Sequence, residues 1–261
     1  MAILESRVKT GVSWVKESWD LFKQSPQKWL MLAIAYVGIY MMLPSFPGFQ
    51  FFALVTILTW PIFIAMASRM YKNADTNPLE DISAIMKLIQ PKLKTLMLLG
   101  IACLLYGIVV NYLLSADMQA LEGYAQRAEA LNEAEMEQFI QKMLPLMLKL
   151  SLFLAPLLMA TWFSPMLIAF NDYSLIKAIK SSLAGSLQYI IAMSVAWLLL
   201  TAGIVTLMLV AGITVGIVGA LVPMLARLLM PMVVFGCLLL ASALMLAFQY
   251  VSYRDVFRSV L

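Results

Sequence analysis

Long apolar runs free of Lys, Arg, Asp and Glu dominate the chain: 29–68, 95–116, 150–171, 181–226 and 228–253. A helix needs about 20 apolar residues to cross a hydrocarbon core of roughly 30 Å. The second, third and fifth runs therefore hold one span each. Pro44, Pro47 and Gly48 punctuate the first run with a tight turn, which divides it into two spans. The run of 46 residues at 181–226 begins with an interfacial helix end and holds one span at 189–210. Its remainder, 211–226, carries Gly212, Gly216, Gly219 and Pro223 and reads as an apolar outer loop or a half-inserted segment. Six spans result, about 29–43, 50–70, 95–115, 147–170, 189–210 and 229–252, with seven as the alternative.

Amphipathic stretches precede three of these spans. The segments 12–35, 79–102 and 173–196 align without gaps, matching Val15 with Ile82 and Ile176, and Ala35 with Ala102 and Ala196. The unit is an interfacial elbow helix followed by a two-span hairpin, used three times. In the first elbow Leu4, Val8, Val12, Val15, Trp19 and Phe22 share one face, while Lys9, Lys16, Asp20 and Lys23 lie mainly elsewhere. That pattern suits a helix lying in the plane of an anionic membrane surface. The second elbow opens with a capping box over Asn77-Pro78-Leu79-Glu80 and has Leu79, Ile82, Ile85, Met86 and Ile89 as its apolar face. The third opens at Ser174 and is expected to bury Ile176, Ile179 and Leu183. The second repeat carries an insertion at 116–143, read as a short acidic outer hairpin. Met118, Leu121 and Ala125 line its first helix, and Asn132 with Glu135 cap the second. The predicted fold is an all-α polytopic membrane domain spanning residues 1–261.

Composition strengthens this picture. Apolar residues make up 63% of the 261 residues and charged residues 12%, about half the charged share of a soluble domain. Fourteen of the 18 basic residues fall on the side of the termini, in the N-terminal segment, 69–95, 171–188 and the C-terminal end. The basic side faces the cytoplasm, so both termini are expected there. The net charge of +4 gives no reason to expect nucleic acid.

Candidate chemistry is sparse. The chain has no His and two Cys, which removes the commonest general base and a Cys-based zinc site. The span centres carry no ionisable residue, the usual pointer to a transport pathway. Lys149 and Arg227 sit near outer ends, where snorkelling accounts for them. No catalytic, metal or cofactor residue is assigned, and no enzymatic activity is expected. Asn111, Thr161, Ser164, Thr201 and Gln249 are the candidate lining of a polar cavity, which Pro61, Pro156 and Pro165 could open by kinking the second and fourth spans. Lys9, Lys16, Lys23, Arg254 and Arg258 are candidate contacts to anionic lipid. Arg254 and Asp255 are alternatively placed to pair with an elbow and lock the elbows together. The 20 Met residues are spread through all spans and suit gap filling better than copper binding. Gly212 and Gly216 permit a close helix approach.

Three stretches carry a family likeness. They are Trp14-Val-Lys-Glu-Ser-Trp19-Asp-Leu-Phe22 with Pro26 and Trp29; Trp162-Phe163-Ser164-Pro165 followed by Asp172-Tyr173-Ser174; and Tyr250-Val-Ser-Tyr253-Arg254-Asp255-Val-Phe257. Together they resemble a family of bacterial inner-membrane proteins that is loosely YciC-like and related to the membrane domain found beside glycerophosphodiester phosphodiesterases. The resemblance implies six spans and a bacterial inner membrane, and it supplies no catalytic residues. The expected function is a non-enzymatic scaffold or accessory subunit that organises a partner or lipid locally. Its partners would be membrane lipids, anionic on the cytoplasmic face, and a membrane or periplasmic protein. The alternative is a transporter or lipid-handling protein with a cavity between kinked helices.

Overall fold

The computed structural model describes residues 2–76, 81–125 and 133–257. It is an all-α polytopic protein with six helices long and apolar enough to span a membrane. The helices are α1 (Ala2–Gln24), α2 (Pro26–Val37), α3 (Phe52–Thr76), α4 (Ile82–Ile89), α5 (Leu93–Ala125), α6 (Glu133–Trp162), α7 (Ser164–Asn171), α8 (Leu175–Gln188), α9 (Ile190–Leu221) and α10 (Pro223–Val256). Three elbows, α1, α4 and α8, each lead into a hairpin: α2–α3, α5–α6 and α9–α10. A π-helical turn, Gly38–Met42, and a 3-10 turn, Leu43–Ser45, extend α2 to the first turn. There Gly48 adopts φ +85°, a conformation glycine takes without a Cβ clash.

The elbows and both described ends of the chain gather at one end of the bundle, here the elbow side. Most of the buried core lies in this half. Trp29 stacks on Tyr71 with ring centroids 4.0 Å apart. Each ring also places its polar atom: Trp29 Nε1 donates to the Leu21 carbonyl at 2.9 Å, and the Tyr71 hydroxyl to the Ala243 carbonyl at 2.8 Å. Buried aromatic donors need such partners where water is excluded. Two glycines let backbones meet. A Cβ at Gly11 would lie 2.5 Å from the Ala192 carbonyl oxygen, and one at Gly100 would lie 2.7 Å from Cα of Leu58.

The far half is built differently. Between 134 and 160 of α6 only Leu146 is buried, and beyond Ala196 on α9 only Val215. No residue of α10 before Cys237 is buried. Leu146 packs with Val110, Leu114 and Leu121 of α5 in a small cluster of its own. Thus α5 and α6 pack on each other there, as do α9 and α10, and the hairpins leave their remaining faces open.

Several expectations change. Residues 211–226 are neither loop nor half-inserted segment: they complete α9 and begin α10, with Val222 as the break and Pro223 at the first helical turn. Helical hydrogen bonding continues through these glycines, and a Cβ added at Gly219 would lie 2.7 Å from Cβ of Ala226, so α9 and α10 approach closely beside the turn. The Gly212 and Gly216 pair makes no such approach: an added Cβ would meet Met230 Cε at 4.0 Å at the first and nothing within 4 Å at the second. The outer hairpin is a continuation of α5 and α6, joined by Lys149 to Asp117 at 2.7 Å. Both capping boxes, at Asn77 and Asn132, fall outside the described residues, as does Arg258.

Candidate functional site

The chemistry of the bundle starts from an interrupted helix. Between α6 and α7 the chain breaks at Phe163, ahead of Pro165, which has no amide to donate. In an unbroken helix the Phe163 N–H would bond to the Met159 carbonyl. Instead the Ser182 hydroxyl of α8 stands between them. It accepts from the Phe163 N–H at 3.0 Å and donates to the Met159 carbonyl at 2.7 Å. Ser186 donates to the same carbonyl at 3.2 Å, and Gln249 Nε2 of α10 donates to the Trp162 carbonyl at 2.7 Å. Trp162 Nε1 in turn donates to the Ser252 hydroxyl at 3.2 Å. Irregular backbone at membrane depth needs this kind of side-chain rescue.

These bonds settle where the candidate cavity residues stand. Thr161 donates back to the Leu157 carbonyl at 2.7 Å, and Ser164 to the Ala160 carbonyl. Thr161, Ser164 and Gln249 therefore meet around the break, buried, with their donors used by backbone. They are not the polar wall of a cavity. Asn111 is exposed on α5 and enters none of these bonds. Thr201 is exposed and lines an apolar groove of about 170 Å³ with Trp197, Leu200, Ile204, Ala241 and Met245. Sequence reasoning missed Ser182 and Ser186. On α8 the buried face is Ala178, Ser182, Gly185 and Ser186, whereas Ile176, expected inside, is 67% exposed. The signal was the run of small residues at steps of three and four. Ser182→Ala removes both bridging bonds and strands a buried amide. The expected loss is about 1–3 kcal/mol of stability, read as a lowered thermal midpoint in nanodiscs. Ser115→Ala serves as a comparison that should leave the midpoint in place, because the half-buried Ser115 hydroxyl donates only to the Tyr112 carbonyl of its own helix.

A second polar group fastens the elbow side. Arg254 of α10 binds Asp75 of α3 at 2.6 Å and also pairs with Glu17 of α1. The Tyr250 hydroxyl donates to the same Asp75 carboxylate at 2.9 Å, and Trp14 Nε1 donates to Asp255 at 3.1 Å. Tyr253 donates to Asn171, and Lys92 pairs with Asp172. Arg254, a candidate for lipid contact, is thus held by two carboxylates of the protein.

The other basic candidates stay outward. Lys9 and Lys23 pair with Glu5 and Asp20 on the surface of α1, at 2.7 and 2.9 Å, and Lys16 is exposed. They border the exposed apolar stripe Leu4, Val8, Val12 and Trp19. The same helix buries a second face, Gly11, Trp14, Ser18, Leu21 and Phe22, against the bundle. The α1 helix therefore has a protein face and an outer apolar face side by side.

An exposed apolar face lies on the outer part of α10. Arg227, Met230, Pro231, Val234, Phe235 and Leu238 form this face, which is open and shallow and is lined by the one helix alone. Arg227, Pro231, Val234 and Leu238 recur at steps of three or four. The same stepping continues through Met245 to Gln249 and Ser252. Nearer the elbow side this face is sealed onto Trp162 of α6, whose ring also meets Trp197 and Phe248 at 5.9 and 5.4 Å. Farther out the face is uncovered. The groove at Thr201 borders this aromatic group through Trp197. Among the described residues no group of three or more Cys, Asp or Glu stands where it could hold a metal ion.

The chain matches no family model, no curated protein and no solved structure in the three comparisons made with it.

Proposed function

We propose that this multi-pass membrane protein is a non-enzymatic accessory of a bacterial inner membrane that organises lipid locally. In this reading both termini face the cytoplasm, and the elbow side rests on the inner leaflet through α1. The YciC-like resemblance and the placement of basic residues support that orientation. The observation that carries the reading is the uneven packing of the bundle. The elbow-side half is closed by the Trp162 group and the Arg254 group, and the far half leaves apolar faces of α6, α9 and α10 exposed. A transport route would need polar groups along a continuous path. The polar residues near the bundle centre are already committed to backbone carbonyls, which supports the lipid reading over the transporter.

The test is extraction directly into polymer nanodiscs, with co-purified lipids and proteins identified by mass spectrometry. A lipid enriched over its share of the membrane, with no stoichiometric protein, is the expected result. A bulk lipid profile would overturn the reading, and one stoichiometric protein beside that profile would turn it toward a partner scaffold.

A further inference from the structure

Arg7 continues the bundle-facing side of α1 outward, one turn beyond Gly11 and two beyond Trp14, and it is half-buried. Its guanidinium carbon lies 3.8 Å from the centroid of the Tyr189 ring, and that ring meets Trp14 at 5.9 Å. The ring face attracts the cation electrostatically and leaves its N–H donors to other partners. Among the described residues no hydrogen bond or ion pair takes them. Lys9, Lys23, Lys92, Lys149 and Arg254 differ, since each holds a carboxylate. The acidic groups around α1 are already engaged: Glu5 by Lys9, Asp20 by Lys23, Glu17 by Arg254, and Asp255 by the Trp14 indole. A guanidinium fixed on a ring with unused donors is matched by the paired oxygens of a phosphate, which it can bind with two parallel hydrogen bonds.

Tyr189 sets the depth of this pair. It ends the elbow α8 and begins α9, 32 residues without a charge. Tyrosine is enriched where a chain passes from headgroups into hydrocarbon. Arg7, lying on that ring, is at the level of lipid phosphates. Exposed apolar side chains flank both partners in sequence: Leu4 and Val8 on α1, Ile190 and Ile191 on α9.

Resting on the lipid-organising reading above, we propose that Arg7, seated on Tyr189 where α1 meets the α8–α9 junction, binds the phosphate of one lipid with a net negative headgroup in the elbow-side leaflet. The seat supplies one positive charge and no uncommitted carboxylate. The ammonium of a zwitterionic lipid finds no partner there, whereas phosphatidylglycerol needs none. The bound lipid bridges the first elbow and the start of the fifth span, two parts of the chain that the ion pairs of Arg254 do not join.

Purified protein is exchanged into vesicles of phosphatidylethanolamine and phosphatidylglycerol in equal parts, released in mild detergent, and weighed by native mass spectrometry. The wild type should retain one phosphatidylglycerol per chain. Arg7→Gln should reduce that occupancy about tenfold, the equivalent of roughly 1.4 kcal/mol. Tyr189→Phe keeps the ring and should retain the lipid. Lys16→Gln removes an exposed charge from the same helix and should retain it as well. An equal loss in the Lys16 variant would overturn the seat in favour of diffuse attraction between α1 and the anionic surface. Displacement of the lipid by inorganic phosphate at fixed ionic strength would overturn the lipid assignment in favour of a soluble anion. Phosphatidylglycerol retained equally by wild type and Arg7→Gln would overturn this site while leaving local lipid organisation intact. No lipid retained by the wild type above its share of the vesicle would overturn both.

Discussion

Arg254→Met should lower the thermal midpoint of the protein in nanodiscs by about 5–10 °C. The substitution keeps most of the side chain's apolar stem and removes only its charge. Asp75 and Glu17 are then left facing each other across a partly buried gap, at 24% and 39% side-chain exposure. Breaking a buried ion pair costs about 3–5 kcal/mol. Partial exposure here reduces that to about 2–3 kcal/mol, since water screens the stranded carboxylates. One kcal/mol moves the midpoint of a chain this long by about 2–4 °C. The companion experiment is the triple variant Glu17→Gln, Asp75→Asn, Arg254→Met. Removing the carboxylates along with the guanidinium should restore most of the loss. A triple variant as unstable as the single one would show that Arg254 acts through packing rather than charge.

Gly100→Val is the second substitution with a large expected effect. The Cβ alone would meet Leu58 Cα at 2.7 Å, its carbonyl oxygen at 2.7 Å and the Ile57 carbonyl oxygen at 2.9 Å. All three are backbone atoms, so no rotamer change relieves the overlap, and α3 and α5 must separate. Overpacking costs about 1–3 kcal/mol in a well-packed core. Two carbonyls held in place by α3 put this case at the upper end. Small residues at such crossings are how helices in a bilayer obtain close packing. Gly107→Ala on the same helix makes the contrast. Nothing lies within 4 Å of its added Cβ, and alanine favours the helix by about 1 kcal/mol. Its midpoint should stay level or rise. A fall of similar size in both variants would mean that α5 tolerates no added methyl anywhere, against the contact argument.

The legible part of this protein is what the bilayer dictates. Charge-free runs near 20 residues mark the spans because hydrocarbon leaves few alternatives, and the elbows announce themselves by their helical periodicity. The lengths of α5, α6, α9 and α10 were less visible. A helix that outruns the hydrocarbon needs only its own hydrogen bonds and a neighbour, so Gly216 or Asp117 in the sequence does not end it. The α6–α7 break shows the limit most clearly. Pro165 pointed to it, but Ser182 and Ser186 resembled an ordinary polar face until α8 lay across the gap. Arg254 was visible as a charge near a boundary, and its possible pairing with an elbow could be weighed. Asp75 could not be chosen as a partner, because 179 residues of separation leave no local pattern. In the open groove, Thr201 was noticed for its hydroxyl, although its neighbours are apolar. Arg227 was read as snorkelling, and it stands exposed at the outer end of α10.

The contact between Glu17 and Arg254 also has a meaning in time. These residues are 237 positions apart, and every membrane span lies between them in the order of synthesis. At roughly 5–20 residues per second, about 10–50 s separate their appearance at the ribosome. Through that interval the first elbow has no Arg254 to hold Glu17 and no Asp255 to receive Trp14. Its outer stripe of Leu4, Val8, Val12 and Trp19 is exposed even in the finished protein. The last span then acts as a clasp that fixes an arrangement begun by the first helix. A chain arrested before residue 254 would carry five complete spans and an elbow still unfastened, a form that quality-control proteases could distinguish from the finished protein.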